Sequence, residues 1–261
     1  MDERAEKFLG LISVVERLRG PGGCPWDQRQ RFDDLKAYLI DEAYEVLQAI
    51  DSGDRALLCE ELGDLLFQIL FLAHLAQEEG AFDMRRVMEG IEEKMIRRHP
   101  HVFGSGTVSD HKEVSIQWDA IKAAEGKPPR DSLLSGIPET LPALYRAYRL
   151  GGRAARVGFD WKDAQDVLFK VREELGELEE ALHTGDPGAA GEELGDLLFA
   201  LANLARHLGR EPEGLLRWTN TKFANRFKWL EEELRKRGRS LTEATLEDMD
   251  DLWERAKTHY P

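Results

Sequence analysis

Apolar residues along this chain fall into helix-length segments separated by short polar breaks. Between positions 34 and 51, Leu35, Leu39, Val46 and Ala49 gather on one side of a helical wheel turned by about 100° per residue. A break centred on Gly53 follows at 52–54, and from 55 to 77 the chain is apolar almost all round. This pattern predicts two helices joined by a tight turn, with glycine ending the first of them. The pattern then returns. The octapeptide EELGDLLF stands at 60–67 and again at 192–199, and the same offset of 132 positions carries Glu42 to Glu174, Glu45 to Glu177 and Gly53 to Gly185. Self-similarity at so long a period reads as duplication of a whole domain rather than a solenoid. A Trp and a Lys four apart also recur, in WDAIK at 118–122 and WERAK at 253–257. The stretch GKPPRDSLLSGIPETLP, 126–142, is rich in breakers and predicts a linker. The expected division is a first repeat at 1–128, a connection at 129–140 and a second repeat at 141–261. Few runs of β-branched residues make the expected class all-α.

Charged residues interrupt the apolar sectors in an ordered way. Glu42 falls in the middle of the apolar side of its segment and Glu45 at its edge, while Leu65, Phe71 and Leu72 flank the sector of the next segment that holds Glu61 and Asp64. Glu42 and Asp64 are equidistant from Gly53, as are Glu45 and Glu61; about Gly185 the same holds for Glu174 with Asp196 and for Glu177 with Glu193. A hairpin folded at that glycine brings four carboxylates to one level, each helix presenting its pair at i and i+3. Charges facing inward are costly unless neutralised. Oxygen-only ligands suit a hard ion, Mg²⁺ or Mn²⁺. Asp41, Glu60, Glu179 and Glu180 lie off these sectors and read as solvated. A di-iron bundle would need two Glu-x-x-His pairs, and Glu180–His183 is the one such pair in this region.

Composition narrows the chemistry. A net charge of −14 argues against binding a nucleic-acid backbone, which needs a positive face, but not against a small polyanion bridged by divalent cations. Two cysteines imply no disulfide framework. The N-terminal MDERAEKFLG has no apolar signal core, and the greasiest stretch, 65–76, contains Gln68 and His74 and is too short for a bilayer. A cytoplasmic protein without membrane partners is expected. Lys94, Arg97 and Arg98 form a basic cluster in the first repeat, and Lys222 and Arg226 stand in the second. With Lys122 and Lys257 they suit an oligophosphate held beside carboxylate-bound metal. Trp118 and Trp253 each offer a ring for stacking on a base, although either also suits a core. No Walker-type or Rossmann glycine motif is present, so phosphates would be held through metals and side chains.

The pattern E-E-x-x-E followed by E-x-x-D resembles the MazG nucleoside triphosphate pyrophosphohydrolases of the all-α pyrophosphatase superfamily. The second repeat carries it as Glu173, Glu174, Glu177, Glu193 and Asp196; the first has Asp41 in place of the leading Glu. GGCPWDQRQ, RRHPHVFG and VGFDW are similar to that family too, while Asn225 stands where its pattern has Arg. The resemblance implies tandem helical-hairpin domains that complete four-helix bundles by homodimerisation. It implies Mg²⁺-dependent hydrolysis of NTPs and dNTPs to the monophosphate and pyrophosphate, working through the second repeat. In that scheme Glu174, Glu177, Glu193 and Asp196 are catalytic and, with Glu42, Glu45, Glu61 and Asp64, bind metal. Glu174 or Glu177 takes the proton of the attacking water, and Lys222, Arg226 and Lys257 neutralise the leaving pyrophosphate. The alternative is a regulatory helical protein that senses nucleotides without turning them over.

Overall fold

The polar breaks in the pattern are helix ends. The computed structural model describes residues 2–110, 113–114, 117–118, 120–121 and 132–260, and every regular element among them is helical. The chain divides into two compact units, Met1–Lys127 and Pro128–Pro261. The first contains α1 (Glu3–Arg19), a 3₁₀ turn (Asp27–Arg29), α2 (Phe32–Ser52), α3 (Arg55–Glu78), α4 (Met84–Arg98) and the short α5 (Pro100–Phe103). The second contains α6 (Ala143–Ala155), α7 (Ala164–Thr184), α8 (Pro187–His207), α9 (Pro212–Lys236) and α10 (Leu246–His259).

Each unit is built on one hairpin, α2–α3 or α7–α8, and both turns use the same local chemistry. Gly53 and Gly185 end the first helix with φ of 74°, the left-handed region where a side chain is strained. The next residue is an aspartate in both. Asp54 accepts the backbone N–H groups of Ala56 and Leu57, and Asp186 those of Gly188 and Ala189, satisfying donors that a helix start leaves without partners. Pro187 sits at the first turn of α8, where its missing N–H costs nothing.

Burial is uneven along the hairpins. The buried residues of α3 run from Gln68 to Ala76, all in its C-terminal half, where α1 packs and where Val15, Leu35, Leu70, Phe71 and Leu75 form the core. In α8 the buried residues run from Ala200 to Ala205, again the C-terminal half, beneath α6. A second apolar cluster, Leu230, Leu234 and Leu252, fastens α10 to α9. The covering helices therefore reach only the end of each hairpin remote from its turn. The middle and the tip stay open, with Tyr44, Leu47, Ile50 and Leu62 exposed in the first unit and Leu175, Leu182, Leu194 and Leu198 in the second.

Replacing Gly53 or Gly185 by Ala should destabilise the protein by about 1–2 kcal/mol each, the cost of forcing an L-residue into the left-handed region. Denaturant unfolding measures it, and an unchanged midpoint would show that the turn relaxes to another geometry.

Candidate functional site

Folding about the glycine sets one stretch of each helix against its partner. In the first unit carboxylate oxygens of Glu42, Glu45 and Glu61 all lie within 4.8 Å of one another, and in the second those of Glu174, Glu177 and Glu193 do the same. Asp64 and Asp196 stand outside these groups. Each lies one turn beyond its glutamate, and the charge of Asp64 still reaches Glu42 and Glu61, so the level of four expected from the sequence is a triad with an aspartate beside it. Burial is also less than an inward-facing quartet would have. Glu174 is buried and Glu42, Glu61 and Glu193 half-buried, whereas Glu45, Glu177, Asp64 and Asp196 are exposed, because no helix of the same unit covers the middle of the hairpin. Asp41, Glu60, Glu179 and Glu180 are exposed, as their wheel positions imply.

Partial burial and mutual repulsion both disfavour ionisation here. Glu42 is pushed above the ordinary glutamate value chiefly by loss of solvent, with the charges of Asp64 and Glu45 adding to it and a hydrogen bond from Gln68 opposing it. Loss of solvent also raises Glu61, followed by the charges of Glu45, Asp64, Glu60 and Glu42. Glu177 is raised by loss of solvent, then by contact with Glu174 and the charge of Glu193. Such a set favours any cation that can enter it.

The two triads are not equivalent. In the first, Gln68 Nε2 donates to Glu42 Oε1 at 3.3 Å; the corresponding residue of the second repeat is Ala200. In the second, Lys170 Nζ lies 2.6 Å from Glu174 and 2.9 Å from Glu173; the first repeat has Tyr38 there. A tethered ammonium thus sits on the buried glutamate of the second triad, and its own pKa is raised, first by Glu174 and then by Glu173. Lys170 was within reach of the sequence, since it stands four residues before Glu174 on one helix face. Gln68 was not, because its partner is 26 residues away.

The other candidate residues are distributed as follows. The Arg226 guanidinium lies 5.9 Å from the Trp253 ring centre and donates to the Tyr260 carbonyl. Trp253 also packs on Phe223, so its ring is part of the α9–α10 contact. Lys222 rests 4.0 Å over the ring of Trp218, and Lys257 pairs with Glu254 one turn back. In the first unit Arg98 is buried and lies over Trp118, which also meets His99 edge-on; Lys94 is half-buried and Arg97 exposed. Lys122 lies outside the described residues. A further charged group gathers about Asp160, which stands in VGFDW but whose partners had no sequence signal. Asp160 forks onto Arg206 and accepts from His207, with Asn203 fully buried beside them. Arg206 first, and His207 after it, hold Asp160 at about 2.

The profile of the MazG nucleotide pyrophosphohydrolase domain matches residues 30–103 and 163–229. The chain is similar to the nucleoside triphosphate pyrophosphohydrolase/pyrophosphatase MazG of Thermotoga maritima, 45% identical over 257 residues that cover 98% of either chain. It is similar also to a nucleoside triphosphate pyrophosphohydrolase of Escherichia coli, 44% identical over 251 residues and 95% of either chain. A crystal structure of a mazG-related protein from Thermotoga maritima covers 43% of this chain and 96% of its own at 32% identity, with a TM-score of 0.38.

Repulsion within the first triad should be visible as a pH effect. Glu61 titrates from 4.5 when unfolded and higher when folded. The folded protein therefore holds the proton more tightly, and the group's unfavourable contribution grows as pH rises through that interval. In chelator-treated protein, Glu61→Gln should raise the melting temperature above pH 6 and change it little near pH 4. An equal gain at both pH values would place the effect in packing instead of charge.

Proposed function

Because the chain belongs to the MazG nucleotide pyrophosphohydrolase family, we propose that it hydrolyses nucleoside and deoxynucleoside triphosphates to the monophosphate and pyrophosphate with Mg²⁺. The observation that carries this reading is the carboxylate triad, formed from two helices at one level in each unit. The donors suit the ion. Octahedral Mg²⁺ with oxygens at about 2.1 Å sets neighbouring ligands roughly 3–4 Å apart, and a group of glutamate oxygens within 4.8 Å reaches that spacing by rotation of side chains. Mn²⁺ fits the same set. Glu174, Glu177 and Glu193 would hold metal in the second unit with Asp196 beside them, and Glu42, Glu45, Glu61 and Asp64 are their counterparts in the first. When bound, Mg²⁺ supplies Lewis-acid polarisation of the phosphate and lowers the pKa of water.

The chain's own residues do the remainder. One of the glutamates, Glu174 or Glu177, takes the proton of the water that attacks the α-phosphorus. The bond from that phosphorus to the bridging oxygen breaks, and pyrophosphate leaves with the electron pair. Lys222, Arg226 and Lys257 neutralise its charge, Arg226 being aimed by Trp253 and by Tyr260. The second unit is the working one in this scheme. In the first unit Arg98 is buried and lies over Trp118.

The working form is a homodimer. Large apolar residues stand exposed along both hairpins, Tyr44, Leu47, Ile50 and Leu62 on one and Leu175, Leu182, Leu194 and Leu198 on the other, the kind of surface that marks an interaction site, and two such faces complete a four-helix bundle. No described helix is long and apolar enough to cross a membrane. The compartment we assign is the cytoplasm, with no nucleic-acid or membrane partner.

ATP should yield AMP and pyrophosphate, with activity lost to chelator and restored by Mg²⁺; ADP and free phosphate as first products would overturn the reaction. Light scattering at low micromolar concentration should report about twice the chain mass, and a fully active monomer would show that the exposed faces need no partner. Glu193→Gln should remove most turnover and Glu61→Gln should spare most of it. Equal losses, with dimers intact, would mean that both units turn over.

A further inference from the structure

The three cations assigned to the leaving pyrophosphate differ in what holds them. Lys257 pairs with Glu254, a carboxylate that takes up its charge. Arg226 lies against the Trp253 ring and donates to the Tyr260 carbonyl, both of them neutral. Lys222 sits 4.0 Å over the ring of Trp218, and among the described residues no carboxylate lies within ion-pair distance of its ammonium. In a chain of net charge −14 a lysine is readily drawn onto a carboxylate, as Lys170 is onto Glu173 and Glu174. A ring attracts the ammonium through its quadrupole and leaves the charge intact for an anion. Trp218 itself is 60% exposed, so burial in a core does not account for it.

The two repeats diverge at this place. The strings KMIRR at 94–98 and KFANR at 222–226 set Lys94 against Lys222, Arg97 against Asn225 and Arg98 against Arg226. Four residues before the lysine, the first repeat has Gly90 and the second has Trp218. A Cβ at Gly90 would meet nothing within 4 Å, so packing does not demand that glycine. The second unit therefore has one arginine fewer and one ring more beside its lysine. Helical side chains lean toward the N-terminus of their helix, which brings the head of a lysine onto the residue one turn before it.

The position of Lys222 relates it to the triad. Helices α8 and α9 pack on each other across a turn at Gly209, where φ is 67°. Asp196 and Lys222 are equidistant from that glycine, so the return of the chain brings the lysine to the level of the aspartate beside the triad. On its flexible stem the ammonium could fall onto these carboxylates and be lost to a phosphate. Resting on the hydrolase reading above, we propose that Trp218 is a positioning residue, whose ring holds the Lys222 ammonium off the carboxylates and ready for the leaving pyrophosphate. It makes good the arginine that is absent at Asn225. Trp218 touches no substrate and acts through Lys222 alone. A cation–π contact at an exposed site shifts an equilibrium about two- to five-fold, which sets the size of its effect.

The test is calorimetric titration of inorganic pyrophosphate with Mg²⁺ into the full chain and into Trp218→Ala, Trp218→Phe, Lys222→Ala and the Trp218→Ala, Lys222→Ala double variant. Trp218→Ala should weaken pyrophosphate about two- to five-fold, and Trp218→Phe, which keeps a ring, should recover part of the loss. In the Lys222→Ala background Trp218→Ala should cost nothing further, because the ring acts only through the ammonium. AMP should bind wild type and Trp218→Ala alike, which separates loss of positioning from loss of the fold. A loss from Trp218→Ala as large without Lys222 as with it overturns the proposal. Pyrophosphate binding that is absent in the wild type, or unchanged or tighter in Trp218→Ala, does the same. So does a Trp218→Ala chain that loses its dimer mass, since the ring would then serve a second copy. Wild-type protein that shows the coupling but turns over no triphosphate would refute the hydrolase reading and leave the role of Trp218 standing. Turnover of ATP to AMP and pyrophosphate without the coupling would do the reverse.

Discussion

Everything distinctive about this chain follows from holding three carboxylates, supplied by two helices, within 4.8 Å of one another. Like charges so close repel by an amount that depends on how much water surrounds them, and half-buried glutamates sit where that water is partly gone. The hairpin keeps them there because its geometry is fixed elsewhere. A left-handed glycine and a capping aspartate set the turn at one end, and the cores at the other end lock the helices in register. The site lies between two anchored ends and owes little of its shape to contacts of its own.

The two repeats relieve the repulsion differently. The first places a neutral amide against Glu42 across the hairpin, which offers one hydrogen bond and leaves the charge intact. The second places the Lys170 ammonium against Glu174 from the preceding turn of the same helix, which cancels a charge outright. An ammonium on a flexible stem can leave when a stronger cation arrives, whereas an amide adds no cation at all. Duplication preserved the glutamates and changed what faces them. A comparison of motifs alone scores the repeats as near equals; comparison of the neighbours does not.

How much of this was legible depended on the distance over which each feature is encoded. Hairpins, turns and glutamates were legible because they rest on period, on glycine and on mirror spacing, all local to some thirty residues. The wheel placed Glu42 and Glu174 on the covered side, but it carries no information on how far a covering helix extends, so it overestimated burial for Glu45, Glu177, Asp64 and Asp196. Lys170 was readable from its i, i+4 spacing and stood unremarked among other surface lysines. Gln68 with Glu42, and Asp160 with Arg206, depend on tertiary contacts 26 and 46 residues apart, for which a single sequence has no marker.

Gly151 shows the same limit from the other side. In the sequence it is one of two adjacent glycines inside a helical segment, a position where glycine normally weakens a helix by about 1 kcal/mol relative to alanine. Its meaning comes from the residue it meets. With Asn203 opposite, any side chain at 151 would collide with the amide oxygen, so the close approach of α6 and α8 requires this glycine. That amide in turn is held by Arg206, and Arg206 by Asp160. The helix crossing, the buried amide and the ion pair are therefore one cooperative unit, in which losing any member leaves a buried polar group without its partner. The first repeat builds its own corner around Arg19, whose guanidinium lies on Phe71 and pairs with Glu78, so in each unit the covering helix is tied to the hairpin through a polar network with the same kind of dependency.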